Sequence, residues 1–287
     1  MQLFLQILVN GVLLGGLYTL MALGLALVWG VLNIVNLAHG AFIMLGGYAC
    51  YYLFTLGHID PFAALPIGAI GLFGIGYATQ RCILNFVIKA PIFKTLLITF
   101  GLEVVFTNLA QLGFSADFRT INPSYAGSNV TVAGITFPLV RVAAFVIALG
   151  LTGAMWLCLL RSRIGRAIRA TAQNLTAARL YGVEPRHLYA ITFGLGAATA
   201  GAAGGLYGVV SQIIPYIGAT LTAKSFAISI IGGLDSPLGV IVGGLALGIV
   251  ESLTALYIGP TFTNVASFGI LVLILIIRPT GLLGRTT

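Results

Sequence analysis

Charge is what this sequence has least of. Only 7% of its 287 residues are Asp, Glu, Lys or Arg, against 59% hydrophobic, and the mean hydropathy is +1.08. A soluble domain carries about 25% charged residues, so this chain has too few to cover a surface that faces water. A soluble enzyme, a secreted disulfide scaffold and a disordered chain are thereby excluded. No basic residue precedes Arg81. The first apolar stretch therefore lacks the positive flank of a cleavable signal peptide and is expected to stay in the mature protein. The three cysteines, Cys50, Cys82 and Cys158, are odd in number, far apart and form no CxxC. They read as small apolar fillers.

The patterns that carry common chemistries are also missing. There is no phosphate loop of the form GxxxxGKS/T, and the Lys224-Ser225 pair has no glycine loop before it. HExxH and GxSxG are absent too. His39 and His58 are isolated, and His187 belongs to a basic segment. No catalytic residue and no metal ligand set is expected in this chain, and it is not expected to be an enzyme.

What is present is apolar sequence in long runs, at 3–29, 37–57, 62–79, 92–113, 137–160, 188–213, 222–234, 237–258 and 262–277. A bilayer-spanning helix needs roughly 20 such residues. These runs predict an all-α polytopic integral membrane protein of eight or nine transmembrane segments. The run 222–234 is the short or broken one, read as a half-helix, a re-entrant turn or a bent hairpin. GxxxG spacings at Gly11/Gly15, Gly201/Gly205, Gly204/Gly208, Gly239/Gly243 and Gly244/Gly248 predict close helix–helix seams.

The net charge of +8 sets orientation rather than pointing to nucleic acid. The segment 161–187 holds six arginines against one acid, Glu184, and is placed in the cytoplasm. With nine spans, the N-terminus lies outside, the C-terminus inside, and eleven of the fourteen basic residues inside; Arg119, Arg141 and Lys224 are left outside. The polar stretch 114–136 then becomes an external loop, either a plain connector or a docking surface.

The basic segment has more design than charge alone demands. Arg163, Arg166 and Arg169 recur every third residue along one side of a short helix, and Ala167, Ala170, Ala177 and Ala178 keep other sides thin. Asn174 is suited to cap a second short helix, which Gly182 ends with a left-handed residue, and Pro185 opens the next span. Together with Gly165, these residues predict two rigid helices held at the inner face of the membrane. An anchor to anionic lipid requires the arginines but not the caps.

Two more stretches complete the pattern. The first runs from Asn10-Gly11 through Leu17-Tyr18, Ala22-Leu23-Gly24-Leu25 and Gly30 to Asn36-Leu37-Ala38-His39-Gly40 and Met44-Leu45-Gly46-Gly47-Tyr48. The second is Ile231-Gly232-Gly233-Leu234-Asp235-Ser236-Pro237-Leu238-Gly239 with Gly243-Gly244, and it closes on Arg278-Pro279-Thr280-Gly281-Leu282-Leu283-Gly284. With the basic segment, these resemble the permease subunits of high-affinity branched-chain amino acid ABC importers over essentially the whole chain.

That resemblance implies a single permease domain over 1–287, with 161–187 as the loop that couples it to ATPases. It implies a second homologous permease, two cytoplasmic ATPase subunits and an extracytoplasmic substrate-binding protein as partners, in the cytoplasmic membrane among its lipids. ATP and Mg²⁺ would be bound by the ATPases, with no cofactor in this chain. Permeases of urea and short-chain amides are similar in sequence and are the alternative; a stand-alone secondary transporter is a further one.

Polar groups inside the apolar runs are the candidates for a substrate pathway or gate. Glu103 and Glu251 lie near the middles of their runs, where a carboxylate is costly. For Glu103 a structural ladder with Thr99 and Thr107 is the competing reading. Asn33, Asn36, His39 and Gly40 mark a helix break at the inner end of the first run, and Gly232, Gly233, Asp235 and Ser236 mark a second on the same side. Two breaks facing one another would form an inner gate; a satisfied turn is the plainer alternative.

Overall fold

The computed structural model describes residues 2–88, 90–234 and 236–284; Lys89 and Asp235 are among those outside it. The chain forms eleven α-helices among the described residues: α1 (Gln2–Leu32), α2 (His39–Thr55), α3 (Pro61–Cys82), α4 (Ile92–Phe114), α5 (Leu139–Arg161), α6 (Arg163–Gln173), α7 (Leu175–Leu180), α8 (Pro185–Val210), α9 (Ile217–Gly232), α10 (Pro237–Tyr257) and α11 (Thr263–Ile277). Seven of them, in two cases (α3 and α11) with an adjoining 3₁₀ turn, are long and apolar enough to cross a membrane. The outward faces of α4, α5 and α11 are apolar, with Phe93, Leu97, Phe100, Val146, Val272 and Ile276 exposed. This inverts the pattern of a soluble bundle, and the protein is a multi-pass membrane protein.

The centre of the bundle is the pair α1 and α8. The apolar windows of these helices are 83% and 78% buried, against 17% for α4 and α5 and 6% for α11. Glycine and alanine make this possible, because they let backbones approach where no hydrophobic drive exists. Gly11 and Gly15 of α1 face Gly248 and Gly244–Leu245 of α10, so two of the expected seams mate with each other. Gly201 and Gly204 of α8 likewise receive Leu72 of α3 and Ile43 of α2.

The stretches α1–α4 and α8–α11 follow the same order of elements. Each comprises a long helix (α1, α8), a short one (α2, α9) and two further helices. α10 lies along α1 as α3 lies along α8. The N-termini of α3 and α10 are built alike, with Asp60-Pro61 and Ser236-Pro237 each capping through a side-chain oxygen. Gly40 and Gly218, both followed by alanine, pack directly on each other. A Cβ on Gly40 would collide with the Gly218 carbonyl, and one on Gly218 would press tightly on the Gly40–Ala41 backbone.

The sequence reading expects one short segment, and the structure has two. α2 has 17 residues and α9 has 16, and both begin inside the bundle. His39, the first residue of α2, bonds the carbonyl of Met21, eleven residues before the end of α1 and about 16 Å back along its axis. Residues 33–38 therefore climb back into the bundle before α2 starts. The polar stretch 114–136 carries the start of a small hairpin, Asn129–Val132 paired antiparallel with Ile135–Pro138. The Gln6 side chain pairs with both the N–H and the C=O of Thr136, at 2.7 Å each, and ties this hairpin to α1. Tyr125 ties the preceding loop to Asp60 at 2.6 Å. Burial, together with that bond, holds its phenol above the usual tyrosine range.

Candidate functional site

The basic segment forms two capped helices. Ser162 ends α5 and caps α6, its Oγ accepting from Gly165 N–H at 2.8 Å. Asn174 ends α6 and caps α7, its Oδ1 accepting from Ala177 N–H at 3.0 Å. Gly182 closes the unit at φ +81°, and Pro185 occupies the first turn of α8. Gly165 lies where a Cβ would strike the carbonyls of Cys158 and Leu159, so α6 folds sharply across the end of α5. α6 buries Gly165, Ile168 and Thr171, and α7 buries Ala178.

The arginines divide into two sets. Arg166 Nη1 donates to the Arg161 carbonyl at 2.9 Å, and Arg169 Nη2 donates to the Leu160 carbonyl at 3.1 Å. These two hold the α5–α6 corner by satisfying carbonyls that a helix end leaves free. Arg163 is exposed, as are Ala170 and Asn174; Ala177 is half-buried. The sequence reading missed the apolar tip beside them. Ile164 is 47% exposed, Leu180 84% and Tyr181 91%. In a segment so basic, large apolar side chains standing free are the signal that was available.

The first helix break is satisfied by threonines from two other helices. Thr99 Oγ1 of α4 donates to the Val35 carbonyl at 2.8 Å and receives Leu37 N–H at 3.2 Å. Thr222 Oγ1 of α9 donates to the Leu37 carbonyl at 3.1 Å and receives Gly40 N–H at 2.7 Å. Backbone can leave helical form at membrane depth where neighbouring protein supplies such partners. His39 is 1% exposed and donates from Nε2 to Met21 O at 2.8 Å. Asn36 is 2% exposed, and its Oδ1 has no partner among the described residues. Asn33 is exposed at φ 52°.

Two expectations about the breaks change. Only Asn33 stays at the end of α1; Asn36, His39 and Gly40 are carried inward, because α2 starts deep in the bundle and not at its face. The break at 33–40 also meets the start of α9, through Gly218 and Thr222. Gly232 instead packs on Gly239 of α10 and Gly233 on Gly284 of the C-terminal tail, with Leu282 and Leu283 N–H donating to the carbonyls of Ile231 and Gly232. Asp235, the remaining residue of that expected gate, lies outside the described residues.

The two intramembrane carboxylates have different surroundings. Glu103 is half-buried and accepts from Thr107 at 3.3 Å. Thr99, its other expected ladder partner, is spent on the break. Glu251 is 4% exposed and receives Tyr18 Oη at 2.5 Å, Ser267 Oγ, and Lys224 Nζ at 2.8 Å. The charge count that leaves Lys224 outside does not hold. It is the eighth residue of the sixteen in α9, 9% exposed, and its charge is taken up by Glu251 across to α10. A buried lysine carries no topology information. It sits in a run that hydropathy reads as apolar, and only the matching Glu251 hints at it.

These features agree with what the chain is similar to. The family model described as branched-chain amino acid transport system, permease component, matches residues 7–277. The high-affinity branched-chain amino acid transport system permease protein BraD of Pseudomonas aeruginosa is 31% identical over 98% of this chain and 96% of its own length. LivH of Escherichia coli, named for the same system, is 32% identical over the same shares. Escherichia coli LivM, also a permease protein of that system, is 27% identical over 94% of this chain and 68% of its own. No solved structure matches. With nearly the full chain covered by both the family model and relatives above 30% identity, this protein belongs to the branched-chain amino acid transport permease family.

Proposed function

We propose that this chain is a transmembrane subunit of an ATP-driven importer of branched-chain amino acids, with α6 and α7 as the element that engages the ATPases. The observation that carries the coupling role is the α6–α7 unit itself. It is capped at both helix starts, braced by Arg166 and Arg169, and presents Arg163, Leu180 and Tyr181 outward. A free-standing loop has no use for that bracing. An apolar tip at a membrane surface needs a partner to cover it.

The partners follow from this reading: two ATPase subunits holding ATP and Mg²⁺, a second permease, and an extracytoplasmic binding protein. LivH and LivM of one organism both resemble this chain, which favours a homologous but non-identical pair. The α6–α7 face carries the concentration of arginine and is the cytoplasmic one. The N-terminus of α1, beside the hairpin, is then outside and the tail after α11 inside, with α2 and α9 completing nine segments. The relatives do not favour the urea or amide reading, nor that of a stand-alone transporter. Of the substrate-pathway candidates, Asn36, His39 and Gly40 are the ones gathered at the central break.

The test is purification of the tagged chain from its native membrane in mild detergent, alongside Leu180→Asp and Tyr181→Asp. The wild type brings an ATPase and a second permease with it. The variants keep the permease and lose the ATPase. A wild-type chain that purifies without any ATPase contradicts the reading.

A further inference from the structure

On the hairpin face, between α1, α5, α8 and α10, lies a cavity of about 230 Å³. It opens beside a wider funnel of about 610 Å³ whose rim includes Gln6, Thr136 and Pro138. Asn10, Arg141 and Val210 line both, so they stand at the passage from one to the other. The inner chamber is several times the ~30 Å³ share of one water molecule.

Its lining is sorted by chemistry. Leu13, Leu14, Leu17 and Ala144 form an apolar wall. Arg141 supplies a guanidinium with no carboxylate within ion-pair distance among the described residues. Asn10 supplies a buried Oδ1 that accepts no hydrogen bond there. Tyr18, 3% exposed, forms part of the floor, its hydroxyl held by Lys224 and Glu251. One unpaired cationic donor, one unpaired acceptor and an apolar wall are the three complements of a zwitterion with a hydrocarbon side chain. A buried polar atom without a partner is costly, and an ammonium group satisfies it.

Resting on the importer reading, we infer that this cavity is an outward-open site for the amino acid inside a single permease subunit. Arg141 holds the carboxylate, Asn10 Oδ1 receives the ammonium group and the leucine wall contacts the side chain. The site is joined to the cytoplasmic element by one helix. α5 runs without a break from Leu139 to Arg161, about 34 Å. Arg141 lies in its first turn, and Ser162, Arg166 and Arg169 clamp its other end to α6. A displacement of α6–α7 therefore moves the wall that carries Arg141 relative to α1 and α8, which opens or closes the chamber.

The experiment uses the complete transporter in proteoliposomes with saturating substrate-loaded binding protein, so that selection by that protein does not limit the rate. A diazirine analogue of leucine is the probe, photolysed with ATPase turnover blocked. Adducts are expected on peptides of α1 and α8 that line the cavity. Arg141→Ala and Asn10→Leu are each expected to lower the maximal uptake rate by about tenfold, the scale of losing one hydrogen bond to a charged group. Arg141→Lys recovers part of the rate. Recovery of the assembled transporter and docking of the binding protein stay near wild type, which separates this role from a structural one. Adducts confined to other helices, with Arg141→Ala transporting normally, overturn the site and leave the importer reading standing. Absence of leucine uptake with the wild-type chain overturns the importer reading and the site with it.

Discussion

Lys224 of α9 and Glu251 of α10 form an ion pair at 2.8 Å in which the two side chains are 11% and 5% exposed. Tyr18 of α1 and Ser267 of α11 donate to the same carboxylate. Four helices thus converge on one carboxylate. Neither charge has water to stabilise it, so each depends on the other.

Removing one partner strands the other in a medium that cannot solvate it, at a cost of about 3–5 kcal/mol. Glu251→Gln and Lys224→Met are each expected to lower the yield and melting temperature of the detergent-solubilised protein sharply. The double variant Lys224→Met/Glu251→Leu recovers most of the loss. Thermal melts of the three proteins decide this, and a double variant no better than the singles rejects the pair as a unit.

The contact between Gly40 and Gly218 leaves no room for a methyl group. Gly40→Ala should therefore separate α2 from α9 and abolish assembly or transport. Gly30→Ala, at a position with no neighbour within 4 Å, is the matched control and should behave as wild type. Uptake assays on both variants, normalised to membrane content, check the difference.

The break at 33–38 depends on two hydroxyls. Thr99→Val and Thr222→Val each leave backbone groups of 35–40 unpaired, and each is expected to cost about 1–3 kcal/mol. Hydrogen exchange should rise at Leu37 in the first variant and at Gly40 in the second. No change at those amides would mean that water already serves this segment.

Asn174→Ala removes the cap on α7 and should cost that helix about 1 kcal/mol. The α7 amides, Ala177 first, lose protection while those of α1 and α8 keep theirs. Because α7 carries Leu180 at its end, the ratio of substrate moved to ATP hydrolysed should fall. An unchanged ratio would show that α7 needs no cap to couple.

Local rules read from one sequence served this chain well where the determinant is local. Asn174, Gly182 and Pro185 are legible because a cap, a left-handed residue and a fixed φ each act within one turn. The apolar runs are legible because a bilayer imposes length and composition together. Three-dimensional relations were not. The partners of residues 35–40 are Thr99 and Thr222, about 60 and 185 residues away and on different helices, so the depth at which α2 begins has no local signature. Lys224 was misplaced for the same reason. Charge counting treats a lysine as a loop marker unless its partner is known. The chamber at Arg141 was invisible because its lining comes from four separate helices.

The most direct measurement is uptake of labelled leucine into proteoliposomes. These hold this chain, its partner permease and the ATPases, with loaded binding protein outside and ATP inside. The account predicts uptake that needs ATP, needs this chain, and stops with Tyr181→Asp while the ATPases remain active alone. Leucine uptake by this chain by itself, without ATP or ATPase, would contradict it.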